Sequence, residues 1–163
     1  VPVIMYHAVM DDASRLGKYV ISPEELESDF KWLSENGYTA ILSEDLINYT
    51  ENGAALPEKP ILLTFDDGYY NNYLYAYPTA KRYGMKFVLS PIGKYADLYT
   101  ETPDKSPYYA HCTWDMLREM QSSGVVEIAN HTYDLHSSDV RGSAQSSFPG
   151  NLWKTTRSFS PKM

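Results

Sequence analysis

Apolar and polar positions alternate along the chain in two distinct rhythms. Val3–Tyr6 is a short apolar run that ends at His7, and four such residues in a row read as a buried strand. Ser22-Pro-Glu-Glu25 then carries a helix-start signature: Ser22 caps, Pro23 suits the first turn and Glu25 completes a capping box. Leu26, Phe30 and Leu33 follow at helical spacing, so one face of this helix is buried, and Gly37 ends it. Tyr38–Leu42 predicts a strand, and Ser43 the cap of a second helix stopping near Gly53. Ile61–Phe65 is strongly apolar and runs directly into Asp66-Asp67-Gly68. A tyrosine- and asparagine-rich stretch leads to a helix near Pro78–Tyr83, closed by Gly84, and Phe87–Leu89 is the next strand. From Gly93 to Ala110 the tyrosines, prolines and polar groups predict a long loop. Thr113 caps a helix bearing Trp114, Leu117 and Met120, and Val125–Ala129 is a further strand that delivers His131.

Strands alternating with helices predict parallel βα units, hence an α/β sheet or barrel in one domain over residues 1–163. In either architecture active groups gather where strands end. His7, Asp66, Asp67 and His131 each follow an apolar strand. Residues 137–163 break the rhythm: serine, glycine, lysine and arginine dominate this atypical tail. With five convincing strands before it, the parallel fold is expected to stop short of closure.

Charge and composition narrow the partners. The net charge of −7 argues against nucleic acid, which requires a basic surface. No apolar run approaches the ~20 residues of a spanning helix. The 15 tyrosines suit either core packing or a saccharide surface, since each ring has an apolar face and a polar tip. The lone Cys112 reads as a small buried hydrophobe, and His111, just before a helix start, as structural.

Two segments carry chemistry. Adjacent carboxylates at the end of a buried strand repel one another unless a cation lies near. A metal would make one a ligand and leave the other as a base. A plain Asp-Asp-Gly turn is the alternative. In Asn130-His-Thr-Tyr-Asp-Leu-His136 the two histidines are five apart. On an ideal helix their rings would diverge by ~140°, and on a strand they would face opposite sides. They can share a metal only on a loop or irregular turn, and two unrelated surface histidines are the alternative. Asp67, His131 and His136 together would supply an oxygen and two nitrogens, leaving positions open for water and substrate as a catalytic zinc site requires.

Thr64-Phe-Asp-Asp-Gly68 and the His131–His136 segment resemble the first two motifs of the polysaccharide deacetylases, the NodB-homology carbohydrate esterases. The five-residue spacing and Met5-Tyr-His7 are most similar to the branch of poly-N-acetylglucosamine deacetylases. The resemblance spans roughly residues 1 to 140 and implies a distorted parallel (β/α) barrel. It implies Asp66 as general base, with Asp67, His131 and His136 holding a divalent metal, zinc first among the transition metals. It implies hydrolysis of N-acetyl groups on a cell-envelope or extracellular polysaccharide. The late histidine and the arginine- and proline-containing motif of most members are not recognisable, and His7 is the matching candidate for the general acid. Thr132 is expected to orient the histidine loop, Tyr69, Tyr70 and Tyr133 either to line a sugar groove or to pack, and Asp134 to be a solvated acid. A catalytically impaired glycan-binding relative, another metal-dependent amide or ester hydrolase, and a structural envelope domain stay open as alternatives.

Overall fold

The computed structural model describes residues 1–135. In chain order the elements are β1 (Val3–Tyr6), β2 (Ala8–Val9), β3 (Val20–Ile21), α1 (Pro23–Glu35), β4 (Thr39–Ile41), α2 (Ser43–Asn52), β5 (Pro60–Asp67), α3 (Tyr77–Tyr83), β6 (Phe87–Pro91), α4 (Gly93–Glu101), α5 (Trp114–Ser122) and β7 (Val126–Ile128). A 3-10 turn, Ala13–Arg15, precedes β3, and a π-helical turn, Asn72–Ala76, leads into α3. The five strands expected from the sequence form one parallel sheet in the order β1-β5-β6-β7, with β4 paired to the start of β5. The short strands β2 and β3 make a second parallel pair that the sequence pattern did not reveal.

The long strand β5 organises the molecule. Its residues alternate between half-buried and buried, with Ile61, Leu63, Phe65 and Asp67 on the buried phase. Phe65 stacks on Tyr6 at 5.0 Å between ring centroids and meets Phe87 at 4.7 Å. Leu26, Phe30 and Leu33 of α1, Ala80 of α3 and Leu117 and Met120 of α5 complete the same core. The other phase of the sheet is more open, with Val3 and Met5 of β1 each 58% exposed.

Local signals act largely as expected in α1. Ser22 Oγ accepts from the Glu25 N–H at 3.1 Å, and Glu25 accepts from the Ser22 N–H at 2.9 Å, a reciprocal capping box. Two expectations are corrected. Ser43 is the first helical residue of α2, not its cap; the N-cap is Leu42, whose N–H donates to the Asp45 carboxylate at 2.9 Å. The stretch from Gly93 onward is no continuous loop, because Gly93–Glu101 forms α4. Tertiary contacts stabilise this helix where its composition is ambivalent. Ala96 is buried against the core, and the Trp114 indole N–H donates to Asp97 at 2.7 Å. The atypical tail lies outside the described residues.

Candidate active site at the carboxyl end of the sheet

Register brings two acid–histidine pairs together. Tyr6 pairs with Phe65 across β1 and β5, so His7 emerges beside Asp66. The His7 Nε2 atom stands 3.9 Å from Asp66 Oδ2. On the other side Asp67 pairs with Pro91, and the His131 N–H donates to the Pro91 carbonyl at 3.3 Å. His131 Nε2 thereby faces Asp67 Oδ1 at 3.6 Å. Successive strand residues point to opposite faces. The pleat up to Asp66 and the turn at Asp67 together divide the adjacent carboxylates between two partners.

The backbone between the acids is strained. The Gly68 N–H donates to the Asp66 carbonyl at 2.9 Å, closing a γ-type turn around Asp67, whose φ is +70°. A non-glycine residue in this region costs of order 1–3 kcal/mol and persists where its surroundings over-determine it. Gly68 has φ +72°, and a Cβ there would lie 2.6 Å from Pro91 Cβ and 2.8 Å from Pro91 Cα. The turn is clamped from the far side. The Tyr70 N–H donates to the Ala110 carbonyl at 2.8 Å and the Cys112 N–H to the Gly68 carbonyl at 2.9 Å.

Two buried asparagines after the motif, which the sequence reading passed over, fasten the neighbouring loops. Asn72 Nδ2 donates to the His7 carbonyl at 2.7 Å. Asn71 Oδ1 accepts from the Val9 N–H at 3.0 Å, while its Nδ2 donates to the Pro107 carbonyl at 2.9 Å. Their amides read there as hydrogen-bonding joints among surface segments, since a fully buried amide needs partners. Two adjacent asparagines after a strand-ending acid pair are the available sequence signal.

The expected histidine loop is partly described. The Thr132 carbonyl accepts from the Gly93 N–H at 2.9 Å, and its Oγ1 from the Leu135 N–H at 3.1 Å. Asp134 is half-buried and paired, with Lys94 Nζ at 2.9 Å. His136 lies outside the described residues. Among the described residues no three histidines, cysteines or acids converge as a metal site. Asp67 and His131 nonetheless suit two of its positions. Ligands ~2.0–2.2 Å from a tetrahedral zinc stand about 3.3–3.6 Å apart, and these atoms are 3.6 Å apart. An anionic oxygen and an imidazole nitrogen are also the donor types that zinc takes.

The tyrosines divide. Tyr70 is buried at 8% exposure and stacks on Tyr73 at 6.2 Å, the packing side of its two expected roles: the clamp at Ala110 draws it inward. Tyr133 is 63% exposed and donates its hydroxyl to Asp97 at 3.1 Å. Tyr69 lines a cavity of about 490 Å³ together with Asp67, Tyr95, Tyr99, Tyr108, Tyr109 and His111. Burial raises the Tyr69 phenol, and the Asp67 charge and a hydrogen bond to that carboxylate add to it. Burial pulls the His111 imidazole down to about 4, against weaker upward pulls from Asp67 and the Tyr109 carbonyl, so His111 is neutral. Cys112 is buried, its thiol pushed up to about 12 by desolvation, and is inert packing as expected.

Residues 53–155 match the family model described as polysaccharide deacetylase. The poly-beta-1,6-N-acetyl-D-glucosamine N-deacetylase of Escherichia coli (strain K12) is 32% identical over 140 residues, covering 82% of this chain and 20% of that protein. Among solved structures, a de-N-acetylase from Aggregatibacter actinomycetemcomitans superposes with a TM-score of 0.71 at 37% identity, over 83% of this chain and 56% of that one. IcaB from Ammonifex degensii gives a TM-score of 0.68 at 28% identity, over 85% of this chain and 56% of that one. The chain thus spans about a fifth of the length of the first curated relative and about half of these structures. Its parallel α/β sheet is that of the distorted-barrel deacetylases. The Asp66-Asp67-Gly68 turn lies inside the matched segment at the carboxyl edge of that shared sheet, and the chain belongs to the polysaccharide deacetylase family.

Proposed function

We propose that this domain hydrolyses N-acetyl groups from a polymer of N-acetylglucosamine, with Asp66 as general base and His7 as general acid. The observation that carries the reading is the division of the two adjacent carboxylates between two histidines, 3.9 Å and 3.6 Å away. The similarity to the Escherichia coli poly-beta-1,6-N-acetyl-D-glucosamine N-deacetylase supports the choice of sugar. The reading carries with it an extracellular or envelope location, where such polymers lie.

Asp67 and His131, with His136, would hold a divalent metal, zinc first. When bound, that ion would polarise the acetamide carbonyl and make water a stronger nucleophile at neutral pH. Asp66 then removes the proton of the attacking water, and its half-open position, 21% exposed at the side chain, lets water reach it. His7 Nε2, 3.9 Å from that carboxylate, hands a proton to the departing nitrogen. Amine departure without a proton is too slow, so an acid within reach of the same centre is required. The Asn72 amide holds the His7 carbonyl and keeps that imidazole in register.

The test is acetate release from β-1,6-linked N-acetylglucosamine oligomers, before and after chelator and with zinc restored. Asp66→Asn is expected to lower kcat by roughly 10²–10⁴-fold, the usual worth of general-base catalysis. Equal release by wild type and Asp66→Asn would refute the role of Asp66. Release that ignores the chelator would refute the metal.

A further inference from the structure

We infer that the cavity between α4 and the Gly68–Tyr70 segment is a saccharide subsite, holding the pyranose unit next to the one that reacts. Three observations converge on it. The first is its wall. Tyr69, Tyr95 and Tyr99 surround the His111 ring at centroid distances of 4.6, 4.5 and 5.6 Å, and Tyr108 and Tyr109 complete the lining. Pyranose rings present C–H faces that pack on aromatic planes while their hydroxyls reach polar rims. The rim here is polar: the Tyr109 hydroxyl donates to Asp104 at 2.8 Å, and the Tyr99 hydroxyl donates to the Tyr109 carbonyl at 3.3 Å.

The second observation is the floor. His111 is 7% exposed, and its Nδ1 has no hydrogen-bond partner among the described residues. The Tyr109 backbone lies near enough to the imidazole to raise its pKa weakly, but Nδ1 has no partner in good hydrogen-bond geometry. A buried polar atom in that condition costs about 1–3 kcal/mol unless something completes it. A sugar hydroxyl both donates and accepts, so it satisfies either tautomer of a neutral imidazole.

The third is position and size. Asp67 lines the same cavity, so its occupant adjoins the reacting centre. The volume, about 490 Å³, falls in the range of small-ligand sites and suits one ring with its substituents. The identity of the sugar as N-acetylglucosamine rests on the function proposed above; the subsite itself rests on this wall, floor and position.

The experiment is calorimetric titration of the 163-residue chain with a β-1,6-linked N-acetylglucosamine tetramer and with the monosaccharide. The tetramer is expected to bind more tightly than the monosaccharide. Tyr99→Leu and Tyr109→Ala should each weaken the tetramer by about tenfold, the size of one lost ring contact. His111→Phe, which keeps the ring and removes Nδ1, should weaken it severalfold. Tyr109 is 58% exposed, so its loss leaves the fold intact even if Tyr99→Leu does not. Tyr49→Ala, on the exposed face of α2, serves as the unaffected control. Equal affinity for tetramer and monosaccharide, no tetramer binding at millimolar concentration, or wild-type affinity in Tyr109→Ala and His111→Phe would each overturn the subsite. Tetramer binding that depends on these residues without acetate release would sustain the subsite and remove the deacetylase reading. Acetate release with the variants binding normally would do the reverse.

Discussion

Gly68→Ala tests whether the strained turn is what sets the site. Gly68 sits at φ +72°, where an L-residue costs roughly 1–2 kcal/mol. The added Cβ would also stand 2.6 Å from Pro91 Cβ and 2.8 Å from Pro91 Cα. Normal carbon contacts are about 3.5–4.0 Å, so the turn and the end of β6 must part by about an ångström. Pro91 is backbone-anchored, as the register partner of Asp67 and the acceptor for the His131 N–H. It cannot swing aside like a long side chain. The total is expected to be about 3–4 kcal/mol, the strain and a sterically forced shift together. Gly53→Ala isolates the first part, and the difference between the two variants gives the second. Its φ is +67°, but nothing lies within 4 Å of its Cβ position, so only the conformational cost of about 1 kcal/mol applies. Urea unfolding of both variants measures the difference. The same shift displaces Asp67 from His131, and a misplacement of 1 Å can cost ~10²-fold in rate. If Gly68→Ala is no less stable than Gly53→Ala, or keeps full acetate release, the turn does not set the geometry.

Other outcomes follow from the same structure. His111 ionises near 6.5 when unfolded and near 4 when folded, so the unfolded chain alone takes up a proton between those values. The His111 contribution should therefore be constant above pH 6.5, turn against folding by on the order of 3 kcal/mol as pH drops from 6.5 toward 4, and be constant again below; the stability difference between wild type and His111→Phe, read from denaturant titrations, should change only in that window. Phe30, fully buried between Tyr6 and the α1 core, should cost about 3–5 kcal/mol as Phe30→Ala by urea unfolding. Asn72→Ala leaves the His7 carbonyl without its amide donor, and should cost about 1–3 kcal/mol and lower acetate release more than it lowers tetramer affinity. Zinc binding, read by competition with a chromophoric chelator, should weaken at least 10-fold in Asp67→Asn, since the anionic oxygen is one of few ligands.

Much of the sheet was legible because parallel strands buried on one phase announce themselves as short apolar runs. Ile61–Phe65 could hardly be anything else, and Asp66 and Asp67 were visible as charges at its end. The α1 box was equally plain, since Ser22, Pro23 and Glu25 act within one turn. The helix Gly93–Glu101 was not visible, because tyrosine, glycine and threonine give it weak local preference and its stability comes from Ala96 and Asp97 meeting distant partners. The inward turn of Tyr70 was hidden for the same reason: the Ala110 carbonyl that draws it in lies forty residues away.

The sequence by itself determined which residues stand at strand ends, because periodicity and capping are local. It therefore named His7, Asp66, Asp67 and His131 as neighbours of one sheet edge. Only the tertiary structure decided who faces whom. Strand order puts β1 on one side of β5 and β6 with β7 on the other, so His7 meets Asp66 and His131 meets Asp67. It also gathered five tyrosines and His111 from three separate segments into one cavity. Pairings of that kind depend on register between strands and on packing across the chain, and no spacing along the sequence encodes them.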